Sequence, residues 1–517
     1  GLGFGRAMAA TAWLAFVFAH QPALGAPWLE IGAVRLYPPW RLAGWRAEWG
    51  ALYPRPLAAA AQLQWAALLA ALLAFVAIAK SRTQAMPFGL KAWASFDDAK
   101  AAGLFAASGA VLGKLDGQLL CFDGAGHLLL VGPSRSGKGR GQVVPTLLAW
   151  PEAALVLDVK GELADGDARF GFVGAAGFRQ TLGPVLRFAP TRQASVRFNP
   201  LFEVRKGANE VRDVQNLVEV LIDPAGEQRR QDFWDKSAKN ILVGVILHVL
   251  YAEPDERKTL AVVRETLRDL EAAAQIMKST LHRRNPQTGA PETHPEVLHA
   301  AESFLAAEER VQSGVKATAE SFFGLFADEI VAANTARSDF RVGDLMCGPR
   351  PVTLFLQPPP SDVQRLMPLM RLIVNLIARS LMEDQNRDAQ GRPKRHRLLL
   401  LLDEFPLLGR MPFFETMMGA MAGYGMKAFL VCQSLNHLNK AYGRDNVILD
   451  NCQLVSVFGA VDPETAKRIA EMAGELWEER ESSTEHSPKP ILGPSRRSQT
   501  RREERRPLLV PGQVRAL

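Results

Sequence analysis

Residues 127–139 constrain this chain more than any other stretch. An apolar run, His127 to Val131, passes directly into Gly132-Pro133-Ser134-Arg135-Ser136-Gly137-Lys138-Gly139, and an apolar helical pattern follows from Val143 to Trp150. Strand, G-x-x-x-x-G-K turn and helix in that order are the context a phosphate-cradling loop requires. Backbone N–H groups of the turn would face an anion, the helix N-terminus would add about half a positive charge, and Lys138 would reach the outer phosphate oxygens. Position 139 departs from the motif. A Ser or Thr hydroxyl there would ligate Mg²⁺, and this chain has Gly139.

Length and charge set broad limits. At 517 residues the chain exceeds one hydrophobic core, so two or three domains are expected. The net charge of +7 is thinly spread. From Lys80 onward 56 basic residues face 52 acidic ones, so bulk charge does not establish nucleic-acid binding. The four cysteines (Cys121, Cys347, Cys432, Cys452) are far apart and form no C-x-x-C. They read as buried free thiols, which argues against disulfides and zinc.

The first eighty residues have a different character. Ala7 to Leu29 carries no Asp, Glu, Lys or Arg, and Ala58 to Ala79 is a run of 22 residues with Gln62 and Gln64 as its only strongly polar members. At ~1.5 Å per residue the second run spans about 30 Å of hydrocarbon. Two transmembrane helices are expected, over about 7–25 and 58–79, in preference to a cleaved signal peptide. Arg35, Arg41, Arg46 and Arg55 lie between them, so the positive-inside rule does not orient the pair. A nucleotide loop must lie on the cytoplasmic side. The expected membrane anchor is therefore 1–82, with a periplasmic loop between its helices.

Apolar runs recur beyond the loop, with helical patterns between them: Ala154 to Glu162, Pro184 to Phe188, Pro351 to Leu356, Arg397 to Glu404, Lys427 to Gln433 and Leu454 to Ala460. That alternation predicts an α/β fold with a mainly parallel sheet covered on both faces. Ligands then bind at the carboxyl ends of the strands, where Lys138, Asp158, Asp403, Glu404 and Gln433 all fall. Five leucines followed by Asp403 and Glu404 read as an acidic strand. Asp403 would hold Mg²⁺, and Glu404 would polarise an attacking water. Gln433 ends the next strand, where an amide would orient the water or a γ-phosphate. Asp158, Lys160 and Glu162 fit either an ion-paired turn or a catalytic role.

Residues 209–344 switch to long helical periods and many charges, which predicts an inserted all-α domain between nucleotide-domain segments 83–208 and 345–517. Arg229, Arg230, Lys236 and Lys239 cluster near Phe233 and Trp234, and read as a solvated helix face. Residues 482–506 are polar and arginine-rich and predict a flexible basic loop.

The combination of membrane helices, split loop-bearing sheet and acidic strand resembles the TraG-like coupling proteins of type IV secretion and conjugation. The segments that carry it are Gly132 to Gly139, Asp158 to Glu162, Asn199-Pro200-Leu201, Leu402-Asp403-Glu404-Phe405, Cys432-Gln433-Ser434, and Pro507 to Leu509 with Val514-Arg515. The resemblance implies a RecA-like P-loop ATPase that uses ATP and Mg²⁺. It implies a homo-hexamer in the bacterial inner membrane that moves relaxase-bound single-stranded DNA, or protein effectors, toward type IV secretion channel proteins. It also implies that Gly139 leaves a working site, with Mg²⁺ held by Asp403, phosphate oxygens and water. An arginine acting from a neighbouring subunit is not assigned by the motifs, and Arg365, Arg371 and Arg410 are its candidates. The alternative is a nucleotide-gated docking platform with little hydrolysis. A chromosome-partitioning pump fits less well, since such pumps carry more membrane helices and a terminal DNA-reading module.

Overall fold

The computed structural model describes residues 2–31, 34–81, 93–223, 232–485 and 497–517. They fall into two compact units, 1–90 and 91–517.

In the first unit, helix Leu2–Val17 packs along the 28-residue helix Pro54–Ser81, with Arg41–Trp49 beside it. Tyr37, Leu42, Trp45 and Leu57 close a small core with Leu14 and Leu24. The predicted crossing over 7–25 is not one helix. It stops at Val17, Ala19 and His20 take left-handed backbones, and a 3-10 turn covers Pro22–Leu24. Pro22 keeps a helix from resuming across the break, because it has no N–H to bond Phe18 O and disfavours α geometry at Gln21. The run 58–79 lies inside Pro54–Ser81. Among the described residues no helix is long and apolar enough to cross a membrane, so the two predicted spans rest on the sequence.

The second unit is built on a seven-stranded sheet: β1 (His127–Val131), β2 (Ala153–Leu157), β3 (Val185–Phe188), β4 (Thr353–Leu356), β5 (Leu398–Leu402), β6 (Met426–Cys432) and β7 (Cys452–Val457). The spatial order is β7-β1-β6-β5-β2-β4-β3, and every neighbouring pair is parallel. All seven predicted strands are present. Alternate residues face opposite sides. Leu128, Leu130, Leu399, Leu401 and Phe429 pack under Val144, Leu147 and Trp150. Leu129, Leu155, Leu398, Leu400 and Leu430 pack against a larger helical layer. Burial on both faces is why these strands are continuous apolar runs.

That layer includes the segment between β3 and β4. Helix Glu210–Leu221 buries Val214, Leu217, Val218 and Leu221, one helical stripe, and Asp232 caps Phe233–Ala252 through a reciprocal capping box with Asp235. Among the described residues the segment also contains a short hairpin pairing Arg283–Arg284 with Pro291–Glu292. Its apolar residues belong to the same cluster as one sheet face.

The predicted loop over 482–506 is corrected. Glu475–Glu485 and Arg497–Pro507 form an antiparallel ribbon, in register from Glu475↔Pro507 to Glu485↔Arg497. The sequence hides it because charged residues fall at both odd and even positions, so the alternation of apolar and polar residues that marks a strand is missing. Residues 486–496 lie outside the described residues.

Leu400 is fully buried between the sheet and the helical layer. Leu400→Ala is expected to lower unfolding free energy by about 2–5 kcal/mol in denaturant titrations, while Leu281→Ala, at an exposed position, changes it by less than about 0.5.

Candidate nucleotide site

The parallel register brings the carboxyl ends of five strands to one edge. Val131 pairs with Cys432, Leu402 with both Leu430 and Leu157, and Leu157 with Leu356. Asp403, Asp158 and Gln357 therefore follow at one level, with Glu404 after Asp403, and Gly132 and Gln433 follow at a second level two residues further along β6. Because β6 separates β1 from β5, Gln433 sits between the loop and the acidic pair.

The loop from Gly132 to Gly139 turns through left-handed backbones at Arg135 (φ 65°) and Gly137 (φ 91°). Gly132 N–H donates to Cys432 O (3.1 Å), which anchors the loop to β6. Lys138 is buried, and its Nζ donates to the carbonyls of Gly132 (2.5 Å) and Pro133 (3.0 Å). Burial lowers its pKa, opposed by the negative charges of Glu404 and Asp403. The Ser136 hydroxyl is buried and has no hydrogen-bond partner among the described residues. After Lys138 the chain forms a π turn, Gly139–Val143, closed by Val144 N–H onto Gly139 O. Pro145 follows and has no N–H for an ordinary helical bond to Gly141. A Cβ built on Gly139 meets nothing within 4 Å, so packing does not demand glycine there.

The acidic pair is held from below. Phe405 is buried, stacked on Tyr442 at 5.3 Å and against Phe414 at 5.6 Å. That anchor begins a 3-10 turn immediately after Glu404, whose own backbone is left-handed (φ 53°, ψ 43°). A non-glycine residue in this region is strained, and such strain concentrates at functional sites. Gln433 Nε2 donates to both Glu404 oxygens at 3.0 Å. Gln433 thus orients Glu404, where the sequence predicted an amide directed at water or phosphate. The surrounding protein pushes the Asp403 pKa up to about 7, chiefly through burial and then the Glu404 charge, with Lys138 opposing.

Asp158 has a different environment. Its carboxylate accepts from Leu163 N (3.2 Å), Ala164 N (3.0 Å) and Gln357 Nε2 (3.1 Å). Lys160 and Glu162 are 3.7 Å apart. These are the contacts of an ion-paired turn. Gln357 was missed in the sequence. Its position after the apolar run of β4 was the available signal.

Arg371 is buried and donates to the carbonyls of Leu408 and Asp223, which removes it as an arginine reaching another subunit. Arg365 pairs with Asp362 and Asp328, and Arg410 with Glu415. Lys239 reaches Glu219 at 3.8 Å, and Arg229 and Arg230 lie outside the described residues.

A magnesium ion fits this donor set as an ion shared with phosphate. Among the described residues no group of three His, Cys, Asp or Glu side chains is arranged to hold a metal. Asp403 is the acid placed to contribute. Mg²⁺ usually takes one or two carboxylates and completes its shell with phosphate oxygens and water.

The family model described as Type IV secretory system Conjugative DNA transfer matches residues 92–517. The chain belongs to that family. Conjugal transfer protein TraG of Escherichia coli is 34% identical to it, covering 98% of this chain and 83% of that protein. Protein VirD4 of Agrobacterium fabrum is 27% identical, covering 83% of this chain and 62% of its own length. Among solved structures, plasmid coupling protein TrwB with the non-hydrolysable ATP analogue ADPNP superposes with a TM-score of 0.59 at 16% identity, covering 84% of this chain and 89% of that one. TrwB with ADP and Mg²⁺ superposes with a TM-score of 0.54 at 15% identity, covering 83% and 88%. At that identity the likeness shows a shared fold. This member of the conjugative DNA transfer family thus has an α/β fold like that of TrwB.

The raised Asp403 pKa has a signed consequence. Between about pH 4, the ordinary carboxyl value, and pH 7 the native state binds more protons than the unfolded chain, so stability falls as pH rises and the cost is full above 7. In EDTA without nucleotide, Asp403→Asn is expected to unfold at a higher temperature than the parent at pH 8. The difference should vanish near pH 4 in thermal scans.

Proposed function

We propose that this protein is an ATP-driven coupling motor of a type IV secretion or conjugation system. The observation that carries the reading is the Gln433–Glu404 contact at a sheet edge shared with Asp403 and Lys138. Lys138 would release its loop carbonyls and bind the β- and γ-phosphate oxygens of ATP, neutralising charge that grows in the transition state. Glu404, fixed by Gln433 and by the strained turn, would accept a hydrogen bond from the attacking water and take its proton. Asp403 would hold Mg²⁺, which when bound supplies charge neutralisation across the phosphates. The ADPNP and ADP–Mg²⁺ complexes of TrwB support nucleotide and Mg²⁺ as ligands of this fold.

Family membership supports cargo of the conjugative class: relaxase-bound single-stranded DNA, or protein effectors, delivered to type IV secretion channel proteins. The apolar runs at 7–25 and 58–79 support anchoring in the bacterial inner membrane with residues 83–517 on the cytoplasmic side. A homo-hexameric ring accords with the RecA-like assignment, and the segment 209–344 is the candidate cargo-facing domain.

A second reading, a nucleotide-gated docking platform, is favoured by Gly139, because the loop offers no hydroxyl to Mg²⁺ beside Lys138. ATP turnover by the full chain, with and without single-stranded DNA, separates the two. The motor reading expects turnover that DNA stimulates and that Lys138→Ala reduces at least about a hundredfold. Turnover unchanged by Lys138→Ala would remove the motor reading. ATP-stabilised assembly with negligible turnover would favour the platform.

A further inference from the structure

We infer that Phe458 is a positioning residue for nucleotide binding, clamping the entry and exit of the phosphate loop together and tying both to the C-terminal helix. The inference rests on reading residues 132–139 as the nucleotide loop.

Strand β7 is the edge of the sheet, and its ladder runs one residue past Val457: Phe458 N–H donates to Val131 O at 2.8 Å. That bond sets Phe458 beside the residue that opens the loop. A Cβ on Gly132 would lie 2.9 Å from Phe458 Cβ. On the other side, a Cβ on Gly141 would lie 2.9 and 3.2 Å from ring atoms Cε1 and Cζ. One side chain therefore lies against both ends of the loop, its Cβ beside Gly132 and its ring beside Gly141. Gly141 is explained by Phe458 and not by its own backbone, which lies outside the left-handed region.

The next residue is held as well. Gln142, fully buried, donates from Nε2 to Ser456 Oγ at 3.0 Å. Two consecutive residues of the exit turn are thus gripped, Gly141 by apolar contact with Phe458 just beyond β7 and Gln142 by a hydrogen bond to Ser456 within it. This turn has particular need of a grip. It is a π turn containing Gly139 and Gly141, followed by Pro145, so its own backbone restrains it weakly. A phosphate cradle works only while its N–H groups keep fixed directions.

The clamp has a backstop. Gly459 has a left-handed backbone (φ +94°), and a Cβ there would meet the backbone carbon of Leu517 at 3.2 Å. Ala460 N–H donates to Val514 O at 3.3 Å, and Val514 is fully buried on helix Pro511–Ala516. That helix follows the ribbon strand Arg497–Pro507, so the ribbon and the phosphate loop share one anchor.

The test is titration of the full chain, in a membrane mimetic, with a fluorescent ATP analogue and Mg²⁺, alongside turnover and thermal unfolding. Phe458→Ala is expected to raise the nucleotide Kd and KM about tenfold while kcat at saturation stays within about twofold. Gly141→Ala is expected to raise Kd about tenfold, because the new methyl displaces the ring. In the Phe458→Leu background the same change should cost no more than about twofold, since the shorter side chain leaves room for it. An equal effect of Gly141→Ala in both backgrounds, or an unchanged Kd for Phe458→Ala, would overturn the clamp. If Lys138→Ala fails to weaken nucleotide binding, the reading of the loop itself fails instead.

Discussion

The hydrogen-bonded ladder joining β1, β6 and β5 is the constraint on which the rest of this structure depends. Each strand is buried on both faces, so a one-residue slip would exchange its two side-chain sets between differently shaped cores. Register is thereby locked, and with it the positions of the residues that leave the strands. Gly132 and Gln433 emerge level with each other because Val131 pairs with Cys432, and Asp403 leaves β5 beside them because Leu402 is held against Leu430, two residues earlier on β6. The Gln433–Glu404 bonds and the anchoring of the loop to Cys432 O both follow from that alignment.

The same register explains how the site connects to the helical segment. Helix Val363–Leu381 leaves β4 and packs on both Glu210–Leu221 and the turn Phe405–Leu408. Within it, Arg371 donates to Leu408 O on one side and Asp223 O on the other. Its buried guanidinium finds carbonyls instead of carboxylates, and burial lowers its pKa. Rearrangement of the turn beside Glu404 would have to break or carry these bonds, which is a physical route between the nucleotide edge and the segment proposed to meet cargo.

Much of this was legible in the sequence where local chemistry and burial agree. Leu398 to Leu402 can only be a doubly buried strand, and Asp403-Glu404 can only lie at its end. The same logic located Gly132 to Gly139 and Gln433. Other features were hidden because they arise from contacts distant in sequence. Gln433 contacts Glu404 because β6 lies between β1 and β5, an order that no local pattern reveals. In the sequence Asp158, with Lys160 and Glu162, fits an ion-paired turn as well as a catalytic role, and only the three N–H donors folded onto it make it a turn anchor. In Glu475–Glu485 and Arg497–Pro507 charged residues fall at both odd and even positions, so periodicity gives no strand signal. The first helix stops at Val17, and Pro22 bars its continuation toward residue 25.

The central claim is that Glu404, fixed by Gln433, performs chemistry while Lys138 and the loop perform binding. Single-turnover ATP hydrolysis by Glu404→Gln, with nucleotide affinity determined on the same preparation, tests this most directly. The account predicts a fall in the hydrolysis rate of at least about a hundredfold with Kd changed by less than about threefold. Hydrolysis at the parent rate in Glu404→Gln, or a loss confined to nucleotide affinity, would contradict it.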